Sequence, residues 1–361
     1  MKKILITGGE GLIGSSCIEF FIVKGWSVIS VDNNMRGKIF GEEGSIENNV
    51  KISKKENLEM VRGDIRNKEL MEEVIKKVDA IIHCAAQPSH PRSLEIPLED
   101  FDINAYGTLL LLETVRKNNP KIPFVFLSTN KVYGDMPNKY EYKINKRRYD
   151  NSQVDSFDES MSIDKCGHTP FGVSKTAADL YCQEYAKNFG LTTCIFRCGC
   201  LTGKNSKAVE MHGYLPYIIK CAMTEKKYTI FGGGYRVRDQ LHGSDVAGAA
   251  FEFIKNPKSD EEGNFGIVYN LGGSIKNSIS IYETIDAIQE KTGKMLDFIE
   301  GKERESDHIW WITNTDKFKK DYPNWVITKD LDYIFDEIIE HHNDELQLNI
   351  EIKNKKYFKQ Y

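Results

Sequence analysis

Between a β-branched stretch, Lys3 to Thr7, and an apolar-periodic one that begins at Leu12 lies the run Thr7-Gly8-Gly9-Glu10-Gly11-Leu12-Ile13-Gly14. Glycines at a strand-to-helix junction allow a tight turn and let backbone N–H groups approach a pyrophosphate at the positive end of the helix. Asp32 closes the next strand, near the roughly 20-residue offset at which a carboxylate accepts from a ribose 2′-hydroxyl and repels a 2′-phosphate. The expected cofactor is therefore NAD rather than NADP, with Gly8, Gly11, Leu12, Ile13 and Gly14 around the pyrophosphate and Asp32 and Asn33 at the ribose. Arg36 argues the other way but sits further out.

Short apolar runs alternate with helical patterns after that turn. Strands are expected at Lys3 to Thr7, Ser27 to Val31, Leu58 to Val61, Ala80 to His83, Phe124 to Leu127 and Thr192 to Phe196. Helices are expected at Leu12 to Lys24, Lys68 to Lys76, Leu98 to Lys117 and Val173 to Asn188. This is the pattern of an α/β chain with a Rossmann-type doubly wound parallel sheet, which meets its ligands at the carboxyl ends of the strands. Asp64 and Ile65, Ala85 and Ala86, and Ser128 fall at those ends and join the cofactor set; Asn104 is expected as a buried amide beside it.

Past Gly203 the pattern becomes irregular, with shorter helices at Asp245 to Lys255 and Ile281 to Thr292. The expected division is an NAD-binding domain of residues 1–196 plus about 237–256 and a smaller α/β substrate-binding lobe of about 197–236 plus 257–342. A polar, mobile tail of 343–361 would follow. The excursions Asn34 to Asn57 and Met136 to Gly167 exceed ordinary connections and are candidate lids or partner-binding loops.

Composition narrows the partners. With 49 Lys and Arg against 53 Asp and Glu, interspersed, no basic face stands out, so nucleic acid is not an expected partner. No apolar run reaches the roughly 20 residues that span a bilayer, and the first residues lead straight into the glycine turn; a cytoplasmic protein with no membrane partner is expected. Eight cysteines form no disulfide framework, and Cys198 and Cys200, with Cys194 and His212 nearby, lack zinc-site spacing, so no metal is expected.

The run Phe171-Gly-Val-Ser-Lys175 and Thr129, behind the glycine turn, resemble the extended short-chain dehydrogenases of the NAD-dependent epimerase/dehydratase family, from Lys3 to about Glu337. Four runs are most similar to members that epimerise C2 of a CDP-deoxyhexose: Ser128-Thr-Asn-Lys-Val-Tyr-Gly-Asp135, His168-Thr-Pro-Phe-Gly-Val-Ser-Lys175, Val237-Arg-Asp-Gln-Leu-His242 and Arg304-Glu-Ser-Asp307. That resemblance implies transient oxidation and re-reduction of one sugar carbon, CDP-paratose giving CDP-tyvelose, for surface polysaccharide such as O-antigen. It assigns Lys175 to the nicotinamide ribose and to lowering a tyrosine's pKa, and Thr129 to the reacting hydroxyl.

It also implies that Arg238 and Arg304 grip a diphosphate, that Asp307 holds a nucleotide ribose or Arg304, and that Gln87 and Asn130 touch the sugar. Cys200 stands where many relatives have an asparagine on the diphosphate. Related dehydratases place Asp-Glu after the threonine; Asn130-Lys131 here disfavours dehydration. A homodimer or homotetramer is implied through the helices ending near Lys117 and Asn188.

The tyrosine position is Phe171, which has no proton to exchange. Three accounts stand open: a Tyr→Phe replacement made to trap substrate, another base such as Lys131, His90 or a bridging water, or lost catalysis. Beside the epimerase stand a nucleotide-sugar dehydrogenase or ketoreductase that releases a keto-sugar, and a catalytically silent NAD-binding protein.

Overall fold

A computed structural model describes residues 1–46, 49, 56–210 and 212–358. Seven strands form one sheet: β1 (Lys3–Thr7), β2 (Ser27–Asp32), β3 (Leu58–Arg62), β4 (Ala80–His83), β5 (Phe124–Thr129), β6 (Thr193–Cys198) and β7 (Ile267–Leu271). Their order is β7-β6-β5-β4-β1-β2-β3, and every pairing is parallel. A parallel sheet has to be covered on both faces, and the central strands accordingly carry almost unbroken apolar runs. Helices α1 (Leu12–Val23) and α4 (Gly243–Lys255) cover one face, where Cys17 and Phe21 pack with Val246 and Phe253. Helices α2 (Gly107–Asn118) and α3 (Pro170–Phe189) cover the other, where Leu111 and Val115 pack with Ala178 and Cys182.

The strand order reverses between β1 and β4, so the crevice of this fold opens at the carboxyl ends of those strands. The expected Leu98 to Lys117 helix is built in three pieces: Pro97–Phe101, a wider turn over Asp102–Tyr106, and α2. Asn104 lies in the wide turn, the kind of local widening that re-aims a side chain.

Three expectations change. Strand Ile267–Leu271, assigned above to the lobe, is β7 and pairs with β6 in the large sheet. Val237–His242, assigned to the cofactor domain, instead pairs with Ser278–Ser280, Trp310–Trp311 and Cys200–Thr202 in a separate small sheet. The 343–361 segment is not a loose tail where it is described. Leu348, Ile350, Ile352, Tyr357 and Phe358 pack on the lobe's core, and Lys353 N–H donates to Lys291 O at 2.8 Å.

Of the two excursions, the second folds back as a hairpin of Tyr142–Asn145 and Arg148–Asn151, part of a cluster around the buried Trp310 and Trp311. The first contains the short helix Met35–Phe40; its residues 47, 48 and 50–55 lie outside the described residues.

Candidate active site

A cavity of about 430 Å³ runs along the carboxyl ends of β1, β2, β4 and β5 and into the lobe. At its β1–β2 end the wall is main chain. Gly8 takes φ 65°, and a Cβ there would lie 2.7 Å from Ala85 N; a Cβ on Gly14 would lie 2.1 Å from Gly8 O. Only glycine fits a turn this close to its neighbours, which is the geometry that exposes amides to a pyrophosphate.

Asp32 lies on the same wall, with Glu10 N–H donating to one carboxylate oxygen at 3.0 Å and Asn34 N–H to the other at 2.8 Å. Burial pushes its carboxyl up, and these backbone donors oppose that. Asp64 is held by Arg66 at 2.7 Å and by Asn33 at 2.7 Å, and the Arg66 guanidinium draws it down to about 2. Leu12, Ile13, Ile65, Ala85 and Ala86 complete the apolar part of the wall. Arg36 reaches the cavity, yet its fork is taken by His212 Nδ1 at 2.9 Å and Lys207 O at 2.5 Å. A glycine cradle followed by a fixed carboxylate fits a dinucleotide with a free ribose 2′-hydroxyl.

At the middle of the cavity stand Ser128, Thr129, Phe171 and Lys175. Phe171 and Lys175 are one turn apart on α3, and Pro170 opens that helix at a position where no N–H is needed. The Lys175 ammonium donates to Leu127 O at 2.7 Å and lies 4.1 Å from the centre of the Phe126 ring; burial lowers its pKa to about 8. Ser128 Oγ donates to Asp179, itself paired with Arg197 at 2.9 Å, so this hydroxyl is spoken for. Thr129 Oγ1 accepts from Lys131 N–H at 3.2 Å.

Beyond Thr129 the cavity is lined by His90, Asn130, Lys131, Cys200, Tyr214 and Gln240. Lys131 Nζ donates to Ser306 O at 3.1 Å and lies 3.4 Å from Asp307, which also accepts from Arg238 at 2.9 Å. Burial alone would raise the Asp307 carboxyl, but Arg238 and Lys131 pull it well below the usual range. Burial, reinforced by Lys131, drives the His90 imidazole down to about 3, and its Nε2 is buried without a partner. Burial also lifts the Cys200 thiol to about 11.

Several expected site residues are not brought to this wall. Gln87 is fully buried: its Nε2 donates to Asp100 at 2.7 Å and to Ser89 O at 3.0 Å, so it does not present itself to a sugar. Asn104 belongs to the same network, accepting from Gln87 N–H and donating toward Asp100 and Ser174; it shapes the cavity from behind and is not part of the cofactor's wall. Arg304 lies over the Phe231 ring at 3.9 Å, and Arg238 and Asp307 stand behind Lys131. Sequence reasoning passed over Lys207, Tyr214 and Gln240, the last donating to Tyr214 OH at 2.7 Å. Gln240 stood inside the Val237–His242 run quoted above, and the signal for Tyr214 was a glycine, Gly213, opening an apolar helix in an otherwise irregular region.

Known proteins place this geometry. The pattern of the NAD dependent epimerase/dehydratase family matches residues 4–272. CDP-paratose 2-epimerase of Salmonella typhi is 36% identical over 323 residues, covering 87% of this chain and 92% of its own length. A dTDP-glucose 4,6-dehydratase from Bacillus anthracis, solved with NAD, superimposes with a TM-score of 0.76 at 27% identity, over 96% of this chain and 98% of the other. A UDP-glucuronic acid 4-epimerase from Bacillus cereus, solved with UDP-glucuronic acid and NAD, shares the fold with a TM-score of 0.78 at 22% identity, over 95% and 99%.

Proposed function

Because the chain belongs to the NAD-dependent epimerase/dehydratase family, we propose that it inverts C2 of a CDP-deoxyhexose, turning CDP-paratose into CDP-tyvelose. The observation that carries this reading is the distribution of acids on the cavity wall. Asp32 and Asp64 stand at the β2 and β3 ends, while beside Thr129 there are Asn130 and Lys131 and no carboxylate among the described residues. Eliminating water from a sugar calls for a separate acid and base at the reacting carbon, which this arrangement does not offer. Exchanging a hydride between two faces of one carbon makes no such demand.

The chemistry NAD supplies when bound is reversible acceptance of that hydride. The glycine turn would bind its pyrophosphate, Asp32 the adenosine ribose and Lys175 the nicotinamide ribose, which fixes the ring against the sugar. Thr129 would hold the reacting hydroxyl. Lys131 would set the sugar's orientation from the far side, its ammonium kept in place by Asp307 and Ser306. Family resemblance at 36% identity to a CDP-paratose 2-epimerase supports the substrate. Exposed Leu98, Phe101, Leu180 and Tyr181 on the helices around α2 and α3 support pairing of two copies there, which light scattering would test against a monomeric mass.

Phe171 favours one second reading, a chain that binds NAD and turns over no sugar. Both readings meet the same experiment: this chain and its Phe171→Tyr variant are each given NAD and CDP-paratose, and the sugar is followed by NMR. We expect CDP-tyvelose to form about 10²- to 10⁴-fold faster in the tyrosine variant, the usual worth of a positioned general base. Equal rates would move the proton exchange to Lys131, His90 or water. No product from either protein would sink the substrate assignment.

A further inference from the structure

The helix Leu331–Leu346 ends on His341-His342-Asn-Asp-Glu345, away from the cysteine cluster considered above. His341, His342 and Glu345 bring one ligand atom each to within 4.8 Å of one another. His342 is 1% exposed, and its Nε2 lies 3.1 Å from Pro216 O. A carbonyl oxygen can only accept, so Nε2 carries a hydrogen and Nδ1 is the nitrogen available to a ligand. That Nδ1 is buried without a hydrogen-bond partner and faces Glu345 Oε2 at 3.9 Å. The His342–Glu345 gap is longer than an ordinary hydrogen bond, and His341 Nε2 lies 3.7 Å from the same oxygen.

We propose that these three side chains form a binding site for one zinc-class divalent metal ion, with His341 Nε2, His342 Nδ1 and Glu345 Oε2 as its ligands. Nitrogen and oxygen ligands held about 2.0–2.2 Å from a tetrahedral zinc lie roughly 3.3–3.6 Å apart, so the 3.7 and 3.9 Å spacings to Glu345 need a small contraction and the histidine pair, within 4.8 Å, must close onto the ion. The surroundings have the form of an outer shell. A backbone carbonyl fixes the second nitrogen of the buried histidine, and Lys207 Nζ holds the other Glu345 oxygen at 2.9 Å. The His341 and Glu345 side chains are 26% and 35% exposed, which leaves an entry path and room for a water as fourth ligand. Lys207 and Pro216 also line the large cavity, so the ion would tie the helix end to the cavity wall.

The test uses full-length, tag-free protein stripped with a chelator and titrated with Zn²⁺ by calorimetry, with Co²⁺ absorption as a second readout. We expect one ion per chain and a nitrogen- and oxygen-ligated Co²⁺ spectrum free of thiolate charge-transfer bands. His341→Ala and Glu345→Gln should each weaken Zn²⁺ by at least the roughly 100-fold that even an outer-shell partner can contribute, with circular dichroism unchanged. Absence of stoichiometric binding, thiolate bands from the cysteines, or variants that bind as the parent does would each overturn the assignment.

Discussion

At the β1–β2 end of the cavity, the groups that would meet a cofactor are a glycine turn and a carboxylate fixed by the amides of Glu10 and Asn34. At the end beyond Thr129 they are long side chains, Lys131 in front and Arg238 behind, gathered on Asp307. The first end is set by backbone geometry. The second depends on charges whose positions rest on one another, so a single substitution there should be felt by its neighbours. Cofactor binding and sugar binding should therefore fail separately.

The largest expected effect lies between the two ends. Lys175→Met, made in the Phe171→Tyr background, should lower kcat by about 10²- to 10⁴-fold, because the phenol loses the charge that favours its ionised form. Stopped-flow turnover would show it; a loss confined to NAD affinity would place Lys175 on the cofactor side alone. Next comes Gly14→Ala, whose Cβ would sit 2.1 Å from Gly8 O. NAD affinity by calorimetry should fall about 100-fold, roughly 3 kcal/mol, with nucleotide-sugar affinity unchanged. If both affinities fall together, the ends are not independent and the comparison breaks.

Lys131→Met is the converse. It should raise KM for the nucleotide sugar about 10-fold, the scale of one charge-assisted hydrogen bond, and leave the NAD dissociation constant alone. Asp32→Ala should cut the preference for NAD over NADP by a similar factor of about 10, read as a ratio of dissociation constants.

The last effect is on stability, apart from either ligand. The buried Lys175 titrates near 8, against an ordinary 10.5. Between those pH values the unfolded chain binds a proton that the folded chain lacks, so this group makes stability rise with pH across that window. The contribution is lost as pH falls from 10.5 and is gone by about 8, below which both states carry the proton. Denaturant unfolding of the cofactor-free protein should show Lys175→Met losing that rise relative to its parent.

How much of this was legible follows the same divide. The glycine turn and Asp32 are local signals, readable because one short segment makes the whole feature. Lys131 and Asp307 are 176 residues apart in the chain, and no spacing rule connects them. The family resemblance puts Gln87 on the sugar, but Asp100 and Ser89 decide where its amide points. The strands at Val237–His242 and Ile267–Leu271 are not read from the sequence at all: both lie in the irregular region past Gly203, where no strand is expected. The packed segment near the end did carry a signal that was passed over. Leu348, Ile350 and Ile352 alternate with Asn349, Glu351 and Lys353, a period-two pattern with one apolar side.

Strand β7 comes from beyond two of the small sheet's four strands and the lobe's first helix, yet it completes the edge of the large sheet beside β6. The two halves are thus laced together in the manner of a drawstring: residues 199–242 leave the large sheet and build part of the lobe, α4 returns to cover a face of that sheet, and β7 closes its edge. A cut within that stretch should yield fragments that stay associated and elute as one species, and a gene truncated at Phe196 should give an insoluble product with β6 left as a bare edge.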